Sequence, residues 1–194
     1  MIKTIHGVIS KRRLVSALTN VRIFSTHNGT GLTNQYEDHP LTTNLFNRLF
    51  DPANYSNTSL HWSGNLNATT SLNHTLYTTL TGAGASVPNN GTYYSIEVTF
   101  LFIPKESGQY TFQTDSDDGS DLHIDGNFVV SYYDGHGTGQ GAQTGTYNMV
   151  AGTEYLCVSR AQEYTGGEGL ILKWARPSQG AVYTLQTDEV FQPR

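Results

Sequence analysis

The densest chemistry in the chain lies in Asp115-Ser-Asp-Asp-Gly-Ser-Asp121, which places four carboxylates within seven residues. Like charges this close repel one another, and a hard divalent cation that takes about 6 to 8 oxygen ligands would relieve them. Calcium suits such a donor set. An EF-hand is excluded by register: setting Gly119 at the sixth loop position puts Thr114, a poor ligand, at the first. Adjacent side chains of an extended chain point to opposite faces, so Asp117 and Asp118 can grip one ion only if the backbone between them leaves the extended form. A cis peptide bond would do this. The competing reading is an Asx-rich turn whose carboxylates cap their own backbone amides.

Other spacings that resemble catalytic or nucleotide motifs fail on context. Gly137, Gly139 and Ala142 form a GxGxxA pattern within a glycine-rich stretch, but a dinucleotide fingerprint must open a helix after a strand, and Gln143-Thr-Gly-Thr146 leads into another strand. No GxxxxGK[ST] or GxSxG occurs. Two adjacent acids are no glycosidase dyad, which needs carboxyl groups about 5 Å or more apart on either side of the scissile bond. A catalytic site is therefore not expected, and the protein is read as a non-enzyme.

The elements that must position these acids are strands. Ile96, Val98, Phe100 and Phe102 alternate with Glu97, Thr99 and Leu101, the two-residue period of a strand with one buried face. The spacing predicts further strands over 109–114, 122–124 and 128–132, the last two joined by Asp125-Gly126, a dipeptide suited to a tight turn of positive φ. Read consecutively, these form a β-meander. Strands are also expected at 154–160 and 170–174, with a short one at 182–185. Leu41, Leu45, Phe46 and Leu49 stand at helical spacing, so one short helix is expected there. Regular short strands with turn signals between them indicate an antiparallel sandwich or barrel. Trp62 and Trp174 are expected in its core.

Composition bounds the function. Eleven Lys+Arg against sixteen Asp+Glu gives a net charge of −5, which argues against a partner recognised by phosphate neutralisation, so no nucleic acid is expected. No apolar run approaches the roughly 18 residues of a membrane helix. The N-terminus has no recognisable signal peptide. Cys157 is alone, so no internal disulfide forms, and the six N-x-[ST] sequons carry little weight without a secretory context. Five basic residues (Lys3, Lys11, Arg12, Arg13, Arg22) precede the first acid, Glu37. Residues 1–25 are read as an extended arm, either an edge strand with solvated charges or a segment that docks on a partner subunit, and 26–194 as the sandwich.

The run from Gly108 to Gly126, GxYxFxxxSDDGSxLxIDG, resembles the central signature of the PA14 family, the β-sandwich module of bacterial toxins, glycosidases and yeast adhesins. The likeness continues through His136, the Gly152 turn, Glu163 and Gly169-Leu-Ile-Leu-Lys-Trp174. It implies an all-β, PA14-like antiparallel sandwich with an N-terminal arm. In lectin-like members of the family the two consecutive Asp are joined by a cis peptide and hold Ca²⁺, whose open positions take vicinal sugar hydroxyls. The matching residues are Asp117 and Asp118. Further ligands are implied from a later loop, with Gln162, Glu163 and Thr165 as candidates. Tyr132, Tyr133 and Tyr164 lie on or beside the loops that would face a sugar, although tyrosines of a sandwich commonly pack with their hydroxyls at the rim. His136 matches a family histidine that orders its loop beside the ligand rather than binding metal.

The expected function is a non-catalytic, Ca²⁺-dependent carbohydrate-binding or adhesion module on a cell or particle exterior, with surface glycans as partners. The alternative is a virion structural protein, a phage fibre or capsid decoration. There Gly7-Val-Ile-Ser10 and Leu14-Val-Ser-Ala-Leu18, which faintly resemble phage attachment segments, would pin the domain to other subunits.

Overall fold

In the protein's structure, a computed structural model, the described residues are 20–26, 43–53, 59–64, 73–74, 80–82, 84–133, 135–140, 142–180 and 189–191. The strands are β1 (Val21–Ser25), β2 (Ser59–Gly64), β3 (Asn73–His74), β4 (Tyr94–Phe102), β5 (Gly108–Asp117), β6 (Ser120–Ile124), β7 (Asn127–Tyr132), β8 (Gln143–Met149), β9 (Tyr155–Glu163), β10 (Gly169–Ala175) and β11 (Val190–Phe191). One sheet runs β2-β1-β4-β9-β6-β7, with β11 also on β4, and the other runs β3-β10-β5-β8. All their pairings are antiparallel. This is the expected sandwich.

Alternation decides which side chains meet between the sheets. Tyr94, Ile96, Val98, Phe100 and Phe102 of β4 are buried, as are Tyr110 and Phe112 of β5 and Leu170, Leu172 and Trp174 of β10. Phe102 sits edge-on to Tyr110, Phe112 and Trp174, with centroids 5.6, 5.6 and 5.2 Å away, the geometry that aromatic quadrupoles favour. Trp174 is thus core as expected. Trp62 is only partly buried against the same cluster. Cys157 lies buried on β9 as a free thiol.

Asp125 and Gly126 both take positive φ, 48° and 75°, and close the β6-β7 hairpin as their residue types predict. The meander is corrected at the preceding step. β5 pairs with β10 and β8 in one sheet, whereas β6 pairs with β7 and β9 in the other. The chain changes sheets between Asp117 and Ser120, because the inward alternation of both strands is satisfied equally well from either side of the core.

The arm boundary at residue 25 is corrected too. Residues 21–25 form β1, which has β2 on one side and β4 on the other, so it is neither a free arm nor an edge. Val21, Ile23 and Phe24 are buried there, and Arg22 faces Glu97 across the ladder and donates to it from Nε at 2.9 Å. Residues 1–19, with the segments 7–10 and 14–18, lie outside the described residues. So do Leu41 and the strand expected at 182–185.

The expected short helix is α1 (Thr43–Arg48). Phe46, Leu49 and Phe50 form with Phe24 a second apolar cluster. Ser95 Oγ donates to the Leu49 carbonyl at 2.8 Å, so this cluster covers the face of the first sheet opposite the core. Arg160 lies over the Phe50 ring, 4.7 Å from its centroid, and its Nε donates to Asp121 Oδ1 at 2.9 Å.

Candidate metal and ligand site

β5 and β9 belong to different sheets and end beside each other at one edge of the sandwich. Asp117 is the last residue of β5 and pairs with Gly169 of β10, while Glu163 is the last residue of β9 and pairs with Tyr94 of β4. The Asp117–Asp118 peptide is cis. One carboxylate oxygen from each of Asp117, Asp118 and Glu163 lies within 4.8 Å of the other two.

Backbone hydrogen bonds hold this corner. The Asp118 N–H donates to the Gln162 carbonyl at 3.0 Å, and the Gln162 N–H donates to the Gly119 carbonyl at 2.8 Å. The Tyr164 N–H donates to Asp118 Oδ2 at 2.8 Å, and the Ser116 hydroxyl donates to the Asp118 carbonyl at 2.6 Å. The loop between the sheets is thereby tied to the end of β9, which orients Asp118 towards Glu163.

Glu163 is 0% exposed, and neither of its carboxylate oxygens has a hydrogen-bond partner. Burying an ionised carboxylate in that way is costly unless a charge compensates it. Burial, followed by the charges of Asp118, Asp117 and Glu168, pushes its pKa up to about 9. Burial and Asp118 likewise push Asp117 up to about 6, against an opposing pull from His136. Three carboxylates with oxygen-only donors, one of them buried and orphaned, fit a hard cation such as calcium rather than a nitrogen- and sulfur-seeking one.

The other two acids of the motif are engaged elsewhere. Asp115 Oδ1 accepts the Gly139 N–H at 2.8 Å. Asp121 accepts from Arg160 and from the Tyr133 hydroxyl. Burial works to raise the Asp121 pKa, but hydrogen bonds from His123 and Arg160 outweigh it and hold the carboxyl below its usual range.

The remaining expected residues divide. Gln162 is paired with Ser95, whose hydroxyl points to the α1 side, so its side chain lies on the opposite face of β9 from Glu163. What it contributes to the site is backbone. Thr165 is exposed on the loop after β9. Tyr164 is half-buried, edge-on to Tyr93 at 5.0 Å. Tyr133 stacks near Phe46 with centroids 4.5 Å apart and donates to Asp121, which places its ring with the second apolar cluster, against which Tyr164 also packs. Tyr132 and His136 stack face to face, 3.5 Å apart and 15° from parallel. His136 is buried with neither ring nitrogen partnered.

Two loops wall the outer side of Asp117. A Cβ on Gly167 would stand 3.0 Å from Asp117 Oδ2, and one on Gly137 would stand 3.8 Å away. Sequence reasoning missed two residues here. Tyr94 faces the site from β4 with a buried, unpartnered hydroxyl whose pKa is raised by burial and by the charges of Glu163, Glu168 and Asp117. Tyr94 extends the Ile96, Val98, Phe100 alternation by one step, a pattern that carries no signal of a site. Glu168 lies between Gly167 and Gly169, both of which approach Asp117.

A sequence model of the PA14 domain matches residues 84–186, more than half of the chain. The chain belongs to the PA14 domain family. No curated protein matches it. Among solved structures, this PA14 chain is similar to the A domain of epithelial adhesin 6 from Candida glabrata, solved in complex with Galβ1-3GlcNAc. The two share 14% identity and a TM-score of 0.61 over 95% of this chain and 88% of that one. The PA14 domain of the MpAFP antifreeze protein is 12% identical, with a TM-score of 0.58 over 90% of this chain and 89% of that one. An anti-sigma factor domain-containing protein from Clostridium clariflavum is 16% identical, with a TM-score of 0.56 over 91% of this chain. This chain spans 48% of that protein's length and 35% of a second anti-sigma factor domain-containing protein. At these identities the likeness is one of fold.

Proposed function

We propose that this PA14 chain is a non-catalytic carbohydrate-binding module in which Asp117, Asp118 and Glu163 hold a calcium ion, displayed on the outside of a cell or particle. The observation that carries this reading is Glu163, a fully buried carboxylate with no hydrogen-bond partner within reach of two further carboxylates. Bound calcium would offer its open coordination positions to a pair of vicinal sugar hydroxyls. The chain's own residues prepare that surface. Tyr164 N–H and Ser116 fix Asp118, and the backbone at Gly167 passes close enough to Asp117 that a side chain there would press on its carboxylate. The Tyr132–His136 stack and the Tyr93–Tyr164 pair supply apolar faces suited to a sugar ring. Convergence of three carboxylates on one point suits a cation, whereas glycoside hydrolysis sets two carboxylates apart across the bond to be cut. The complexes of the Candida adhesins with galactose-containing disaccharides support a glycan as the ligand.

The test is thermal melting of the full chain in chelator, in magnesium and in millimolar calcium, followed by glycan-array binding in calcium and in chelator. A ligand that binds only the folded state adds about 2.7 kcal/mol at a hundredfold excess over Kd, so a clear calcium-specific rise in Tm is expected, with glycan binding lost in chelator. Equal Tm in calcium and chelator would sink the proposal.

A further inference from the structure

We propose that the ligand of this site is an uncharged sugar and that Glu168 is the residue that turns acidic sugars away. This deepens the calcium-dependent carbohydrate reading and rests on it.

The geometry carries it. Asp117, Asp118 and Glu163 converge within 4.8 Å, and Glu163 is buried without a partner. Glu168 adds a fourth carboxylate from the adjoining loop. Its neighbour Gly167 approaches Asp117 Oδ2 closely enough that a Cβ there would stand 3.0 Å away, and its other neighbour, Gly169, is the ladder partner of Asp117. The charged groups acting on Asp117 are Asp118, His136 and Glu168, and those acting on Glu163 are Asp118, Asp117 and Glu168. No lysine or arginine of the described residues is among them. Arg160, three residues before Glu163 in sequence, is committed to Asp121 on the other side of the strand. A divalent ion therefore leaves the four carboxylates at −4 + 2 = −2. Hydroxyl groups meet no penalty there. A carboxylate or sulfate on the sugar has no cationic side chain to pair with and faces an excess of like charge. A like charge roughly 8 Å away across water lowers affinity about twofold, so a net excess of two reaches about fivefold.

The experiment uses pairs of sugars that keep the same ring diols and differ by one charge: the methyl glycosides of glucose, galactose and mannose, each against its uronic acid. Binding to the full chain in millimolar calcium is read by ligand-observed NMR at low salt and at 0.5 M salt. The neutral member of each bound pair is expected to bind about fivefold tighter at low salt, with the gap narrowing as salt screens the site. Glu168→Gln is expected to shrink the gap about twofold to threefold. An acidic member that binds as well as its neutral counterpart overturns the inference, as does a gap that salt leaves untouched. A gap unchanged in Glu168→Gln assigns the exclusion elsewhere and overturns the role of Glu168. Should that variant fail to fold, the salt dependence of the unmodified chain decides alone. Failure of every sugar to bind while calcium still raises Tm defeats the carbohydrate reading and this inference with it; absence of the calcium shift identifies failure of the metal reading.

Discussion

Tyr94 and Glu163 are cross-strand partners on β4 and β9, and their side-chain oxygens are buried without a hydrogen-bond partner at the rim of the core. Neither arrangement is expected in a settled interior, where buried polar atoms are almost always paired. They lie beside the Asp117–Asp118 corner, where a bound cation would supply the compensating charge.

Stability of the calcium-free protein follows from the sign of that imbalance. Glu163 titrates near 9 in the folded chain, above its ordinary value, so folding carries a proton that the unfolded chain has released. The stability this contributes is full below the ordinary carboxylate range and is lost as pH rises towards 9. Asp117, pushed up to about 6, acts in the same direction over a lower window. In chelator, Tm is expected to fall between pH 5 and pH 9, and Glu163→Gln is expected to flatten that fall. A flat profile for the unmodified chain would contradict the orphaned state of Glu163.

Asp118 and Asp121 are three residues apart and should behave oppositely. Asp118→Asn removes a ligand charge, so calcium affinity is expected to fall at least about 100-fold in titration calorimetry while the calcium-free Tm holds or rises. Asp121→Asn leaves the Arg160 guanidinium without its buried counter-charge, for which about 3 to 5 kcal/mol of lost stability is expected in urea unfolding. Equal signatures for the two would refute the division of the motif.

Gly167→Ala tests the wall beside Asp117. Its Cβ would meet Asp117 Oδ2 at 3.0 Å, at a residue whose φ is not in the left-handed region. Calcium affinity is expected to fall about tenfold with stability changed by less than about 1 kcal/mol. Gly166→Ala, at φ 112° and with no atom within 4 Å of the new Cβ, is expected to reverse the pattern and cost stability alone.

Phe102→Ala removes the ring that three aromatic neighbours pack against, and a loss of about 3 to 5 kcal/mol is expected from urea unfolding. The calcium response of whatever folds should persist, because Phe102 is the β4 residue farthest from Tyr94 and the site.

Much of the site was legible because local chemistry is written in neighbouring residues. The density of acids around Asp117 and Asp118, the Asp125-Gly126 turn and the alternation of β4 each need only a few consecutive residues to be read. Glu163 was reached through family resemblance. Spacing could not separate it from Gln162, because choosing between adjacent strand residues requires knowing which face meets the core.

Sequence by itself determined the central strands, an all-β class and the acidic corner, since two-residue periodicity and turn propensity are properties of short stretches of chain, and the family resemblance chose a sandwich over a barrel. Tertiary structure alone decided that β5 and β6 enter different sheets, that β1 is an interior strand, and that four neighbouring acids serve three different partners. Those outcomes depend on which distant segments come to lie alongside: Gly139 for Asp115, Arg160 for Asp121, and Glu163 for the Asp117–Asp118 pair. Pairing across dozens of residues is set by the packing of whole faces, and no local pattern encodes it.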